Sequence, residues 1–179
     1  MTLTGWSGSG TSSEVEFKRS VERGSAVFST RTFPISQTAN LKDGKATQGT
    51  CATCHSERHT GAATTQAWMD IGTTSLPWAG DQKDLPLFKI TCSAKATPHP
   101  YLGRIIYTND PGRALITGKC ADVGSLVMQQ LRGLPARAPY FTGGSAKTLQ
   151  AVVEFYNHRY KANYTPQEEK DLVNFLSVL

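Results

Sequence analysis

The pentapeptide Cys51-Ala52-Thr53-Cys54-His55 constrains this chain more than any other stretch. Its two cysteines stand one helical turn apart, and a histidine comes directly after them. A run of this kind is the attachment site of a c-type haem. Both sulfurs reach the vinyl groups along one porphyrin edge, and the imidazole is carried under the iron. The rival reading is a zinc site made from Cys51, Cys54 and His55 or His59. Zinc asks for a second ligand pair at suitable spacing, and the chain has neither a second Cys-x-x-Cys nor a His-x-x-x-His beyond the motif. The spacing therefore predicts one covalent haem c, with Cys51 and Cys54 as thioether anchors and His55 as an iron ligand.

With 179 residues, 39% of them hydrophobic and 18% charged, the chain can bury one full core. No run of about 18 apolar residues occurs, so no membrane span is expected. The N-terminus shows no basic segment followed by an apolar one. Thioether attachment takes place outside the cytoplasm, so the expected location is the periplasm or another exported site. The export signal, or a longer N-terminal region, is then expected outside this sequence. Residues 1–12 are rich in Gly, Ser and Thr and read as a flexible linker, leaving 13–179 as the haem domain.

Cys92 and Cys120 are the remaining cysteines. In an oxidising compartment an even pair reads as a disulfide, with two separate buried thiols as the alternative. A bridge would close the 93–119 loop and be worth about 3–4 kcal/mol. The formal charge is +5, with ten Lys/Arg against eight Asp/Glu in residues 1–100 and nine against six in 101–179. That spread gives no nucleic-acid footprint. A mildly positive face suits an acidic redox partner protein, and a generic solvated surface explains it equally. Oligomeric state is not legible.

Four helices are expected. The first starts at Ser12 or Ser13, with Glu14 and Glu16 in its first turn, and Phe17, Val21, Gly24, Val27 and Phe28 recur at helical spacing. Gly24 needs a packing reason, because glycine costs a helix about 1 kcal/mol relative to alanine. With Phe28 it resembles the crossing point of the first and last helices in cytochromes c, and Phe175 is the expected partner. A second helix runs from Leu149 to Tyr160 behind Thr148, with Leu149, Val152, Val153, Tyr156 and Tyr160 on one face. The last has Thr165 as N-cap, Pro166 as first residue, Glu168 as reciprocal cap, and a stripe of Leu172, Phe175, Leu176 and Leu179. A short helix over about 50–58 is expected to carry the haem motif. Residues 72–125 are rich in Gly, Pro, Asp and Thr, with Leu85–Ile90 and Ile105–Thr108 as short strands. The expected fold class is mainly α: a cytochrome c-like helical domain around one haem, with a long looped insertion and few short strands.

Residues 131–145 (LRGLPARAPYFTGGS), with Thr148-Leu149 and Val152-Val153-Glu154-Phe155-Tyr156 beyond them, resemble the bacterial di-haem cytochrome c peroxidase family, whose superfamily includes MauG-type enzymes. Residues 165–176 (TPQEEKDLVNFL) resemble that family's final helix, and Arg23-Gly24-Ser25-Ala26-Val27-Phe28 its helix before a haem motif. The likeness covers about 14–60 and 110–179. The chain departs from the family in having one haem motif, in Thr142 where the family has histidine, and in Leu126-Val127-Met128-Gln129-Gln130 where it has a lysine-containing segment. What the resemblance implies is the electron-transfer half of that chemistry, in a mono-haem relative or one domain of a larger protein.

In the resembling peroxidases a methionine binds the electron-transfer haem opposite its histidine, and the matching position here is Tyr156, as in MauG-type relatives with a tyrosine ligand. Tyr156 also lies on the inward stripe of its helix, where a buried hydroxyl needs a partner; a core tyrosine bonded to backbone or propionate satisfies the same pattern. Met128 is the next candidate, with core packing as its plainer role, and an open or water-bound position is third. Met69 reads as pocket wall, His158 as solvent-facing, His59 as the end of the motif helix and His99, between two prolines, as a loop residue. The resemblance points to Arg132 as propionate partner, with Arg113 and Arg137 as further choices. Trp68, Trp78, Tyr140 and Phe141 are candidates to line the ring. The expected function is that of a c-type electron carrier, alone or as a module; a peroxidase-like enzyme and a haem-based sensor are the alternatives.

Overall fold

Thr11 accepts the Glu14 amide through its hydroxyl while the Glu14 carboxylate takes the Thr11 amide at 2.7 Å, and this reciprocal cap starts helix α1 (Ser12–Thr30). The computed structural model describes residues 6–36, 47–56, 61–63, 68–79 and 83–179. The first five linker residues and His59 lie outside the described residues. The rest of the linker is not free of the domain. Trp6 stands under the Lys18 ammonium at 5.8 Å, and Lys18 donates to the Ser9 carbonyl at 2.6 Å.

After α1 the chain pairs β1 (Phe33–Ile35) with β2 (Thr47–Gly49), and α2 (Cys51–Cys54) comes directly after. Strands β3 (His55–Ser56) and β4 (Ala62–Ala63) form a second antiparallel pair. A third joins β5 (Trp68–Met69) to β8 (Leu126–Val127), and a fourth joins β6 (Phe88–Thr91) to β7 (Ile105–Thr108). The single turn α3 (Ala114–Thr117) precedes β8, and the chain ends in α4 (Leu149–Tyr160) and α5 (Pro166–Leu176). No described helix is long and apolar enough to cross a membrane.

The expectation of a mainly α chain with few strands needs correction. Among the described residues 39% are helical and 17% lie in strands, arranged as small antiparallel ribbons between the helices. All eight described strands run two to four residues, too short for alternation of apolar and polar side chains to show in the sequence. The motif helix is shorter than expected for the same reason. His55 leaves the helix with extended backbone (φ −120, ψ 110) and starts β3, where its register partner is Ala63.

Two cores divide the molecule. Val21 and Phe28 of α1, Phe33 and Ile35 of β1, Val153 and Tyr160 of α4, and Leu172, Phe175 and Leu176 of α5 make the larger. Where α1 crosses α5, a Cβ on Gly24 would meet the Phe175 Cβ at 2.7 Å, so only glycine fits. Phe28 then packs its ring on Phe175 at 5.3 Å. The smaller core holds Ile106, Val123 and the Cys92–Cys120 disulfide, whose Cα atoms are 5.8 Å apart. That bridge staples the 93–119 segment to the turn leading into β8.

Candidate functional site

Thr50 caps α2 through its amide, which donates to the Thr53 hydroxyl at 2.9 Å, and one helical turn places Cys51 and Cys54 side by side. Neither cysteine takes part in a disulfide. Burial pushes the Cys51 thiol up to about 11 and raises that of Cys54, so neither is a thiolate near neutral pH. The Tyr164 hydroxyl stands 3.9 Å from the Cys51 sulfur.

The turn into β4 orients His55. Gly61, at φ +71, bends the chain so that its carbonyl oxygen lies 3.0 Å from His55 Nδ1. A carbonyl only accepts, so Nδ1 carries the proton and Nε2 keeps its lone pair. Burial lowers the basicity of the ring more than this hydrogen bond restores it, so the imidazole is neutral at pH 7. This is how a metal-binding histidine is held in tautomer and orientation by its outer partner.

Cys51, Cys54 and His55 form one wall of a cavity of about 720 Å³. Helices α4 and α5 supply Val153, Tyr156, Tyr160 and Leu172 to it, and the ribbon of β5 and β8 supplies Trp68, Met69 and Val127. Met128, Arg137, Tyr140 and Phe141 complete the lining from the segment between β8 and α4. The space falls within the range of small-molecule and cofactor sites and is lined mainly by apolar and aromatic side chains.

Most of the expected site residues meet here. Cys51, Cys54, His55, Trp68, Tyr140, Met128 and Tyr156 all line the one cavity, as do Met69 and Phe141. Arg132 does not; the lining carries Leu131 beside it and, from the next turn, Arg137, whose guanidinium donates to the Gln130 carbonyl. Trp78 is also outside the lining and stacks instead against Arg159, 4.3 Å from ring centroid to guanidinium. Arg113 lies over the Trp68 ring at 5.8 Å and 3.8 Å from Asp122. His158 is exposed, whereas His99 is buried and bonded to Asp70, which makes it more than a plain loop residue. Tyr160 and Tyr164 also line the cavity, unanticipated from the sequence, although Tyr160 is one helical turn past Tyr156 on the same stripe.

Tyr156, on α4, is the most suggestive further group on the lining. Its ring is enclosed by Phe141 at 6.2 Å, Phe155 at 5.5 Å and Tyr160 at 6.2 Å. Burial raises its phenol above the ordinary range, with neighbouring Tyr160 adding to the shift. Its hydroxyl makes no hydrogen bond among the described residues. A polar group left so beside a filled cavity costs about 1–3 kcal/mol, unless the occupant supplies the partner.

Among the described residues no group of three His, Cys, Asp or Glu side chains is gathered to hold a bare metal ion. A macrocycle that brings its own equatorial donors would ask the chain only for anchors and iron-binding side chains, and Cys51, Cys54 and His55 on this lining are residues of those types.

No family model, curated protein or solved structure matches this chain. The functional reading therefore rests on the residues of the cavity.

Proposed function

We propose that the cavity holds one haem c and that the protein is a c-type electron carrier, alone or as a module of a larger redox protein. Cys51 and Cys54 would hold the group by thioether bonds and His55 by Nε2. One observation carries the reading most of all. The motif, a neutral imidazole with its Nδ1 proton fixed on Gly61, and an unpartnered tyrosine hydroxyl all border the same cavity of about 720 Å³. When bound, the haem supplies a one-electron iron couple.

The chain's own residues do the rest. Phe28, Phe33 and Leu176 line the space and keep water from it, which lowers the local dielectric. Arg137 is the arginine on the lining and is suited to a propionate carboxylate. Tyr156 would be the second side chain to hold the iron, through its phenolic oxygen, with Met128 on the same lining as the thioether alternative. An anionic oxygen ligand favours ferric iron and a low potential, whereas a thioether favours ferrous iron.

A peroxidase would need an acid–base side chain beside an open iron position. The described lining offers Thr142, tyrosines and Arg137, with no second imidazole and no carboxylate. The carrier reading is favoured for that reason, together with the presence of candidate sixth ligands. The test is stopped-flow mixing of the haem-loaded protein with hydrogen peroxide and a reductant. Reversible one-electron reduction without peroxide turnover supports a carrier, and sustained turnover removes that reading in favour of an enzyme. The location we propose is extracytoplasmic, as thioether attachment requires, and the partner an acidic redox protein.

A further inference from the structure

Arg159 lies on α4 three residues beyond Tyr156 and is only 4% exposed. Its guanidinium sits in a cage of three rings, 4.3 Å from Trp78, 4.9 Å from Tyr160 and 5.8 Å from Tyr101. Its Nε donates to the Ile71 carbonyl at 3.2 Å. A Cβ on Gly72 would stand 3.0 Å from that same Nε, so the guanidinium is packed tightly against the 71–72 backbone. Tyr160 and Ile71 both line the haem cavity. A permanent positive charge is thus clamped one aromatic ring away from it.

The negative counterpart is Asp70, with 0% exposure. Its carboxylate takes the Gly72 amide at 2.8 Å, His99 Nε2 at 3.0 Å and the Tyr101 hydroxyl. All three are donors, as an ionised carboxylate requires. His99 Nδ1 accepts the Leu102 amide at 3.1 Å, which places the ring proton on Nε2, where Asp70 at 3.0 Å and the Val123 carbonyl at 3.2 Å accept it. Tyr101 links the halves, since its hydroxyl bonds Asp70 while its ring faces Arg159. Asp70 adjoins Met69 and Ile71, both on the lining.

Buried charge is costly, and it is retained here in a site with many hydrogen bonds and rings devoted to it. We propose that Arg159 and Asp70 are positioning residues that set the reduction potential of the group held in the cavity. This inference rests on the haem reading. A fixed cation favours the reduced centre, which carries one positive charge fewer, and a fixed anion favours the oxidised one. Arg159 therefore raises the potential and Asp70 lowers it, without either touching the iron. Each acts through a low-dielectric layer, where one unit charge shifts the ferrous-to-ferric ratio by about tenfold, or about 59 mV for one electron.

The experiment is spectroelectrochemical titration of haem-loaded wild type, Arg159→Gln, Arg159→Lys and Asp70→Asn, with absorption spectra to check that the axial ligands are unchanged. Arg159→Gln is expected to lower the ferrous-to-ferric ratio about tenfold at fixed potential, Asp70→Asn to raise it by a similar factor, and Arg159→Lys to stay within about twofold of wild type. Opposite signs are the signature, because a loosened cavity wall would move both neutral variants the same way. Shifts in one direction, or none beyond about twofold, overturn the proposal. If Arg159→Gln does not accumulate, Asp70→Asn decides: a rise supports the proposal and a fall or no change overturns it. Wild type without covalent haem overturns instead the reading on which it rests.

Discussion

Gly24 and Asp171 meet so closely that a Cβ on the glycine would stand 2.0 Å from the Asp171 carbonyl oxygen. This contact sets the crossing of α1 over α5, and with it the helical wall facing Cys51 and His55. Gly24→Ala is expected to cost at least about 1–3 kcal/mol, because backbone rather than a movable side chain blocks the new methyl. Urea unfolding of the two proteins checks this, and an unchanged midpoint would show that the helices separate freely.

The Asp171 side chain reinforces the same crossing. It accepts the Ser20 hydroxyl at 2.6 Å, Arg23 Nε at 2.8 Å and the Gln167 amide at 2.8 Å. Burial alone would raise its carboxyl, but the hydrogen bonds from Arg23, Ser20 and Gln167 outweigh that and hold it below the ordinary value of 3.8. The Glu168 carboxyl is likewise held low, first by the Thr165 amide. A carboxylate depressed by folding lends stability above its unfolded pKa and loses it as pH falls through the folded one. Unfolding midpoints are therefore expected to drop below about pH 4, with a shallower fall in Asp171→Asn. Equal slopes would remove Asp171 from the account.

Cys92 and Cys120, 28 positions apart, clamp the smaller core beside Val123, and β8 with its cavity-lining Leu126 begins shortly after Val123. The double variant Cys92→Ser with Cys120→Ser is expected to lose about 3–4 kcal/mol and to open the β5–β8 wall. Hydrogen exchange over 120–128 reads this directly; protection equal to wild type would confine the bridge's role to the surface loop.

Much of this was written locally in the chain. Thr165-Pro166 with Glu168 placed the start of α5 at Pro166, and Thr148 placed α4 at Leu149–Tyr160, because a cap and a 3.6-residue stripe lie within a few turns. Ile105–Thr108 emerged as the strand it had suggested. The Cys51–His55 wall was legible for the same reason. The wall opposite was not, since residues 68–71 and 126–141 meet only through tertiary pairing. His99 shows the limit most clearly. Its partner Asp70 is 29 positions away, and nothing near Pro98 or Pro100 signals a buried acceptor. Arg137 rather than Arg132 reached the cavity because a short 3₁₀ turn, Leu134–Arg137, rotates the segment after the glycine at φ +67.

Tyr156→Phe distinguishes the candidate sixth ligands. Loss of a phenolate ligand is expected to change the ferric absorption spectrum and raise the potential, while Met128→Leu leaves both nearly as in wild type. The reverse pattern would transfer the role to Met128.

The intact mass of protein matured where haem is attached bears on the central claim most directly. The account predicts the polypeptide plus one haem, retained through denaturation and absent from the Cys51→Ala, Cys54→Ala double variant. A polypeptide of unmodified mass with both thiols open to alkylation would contradict it.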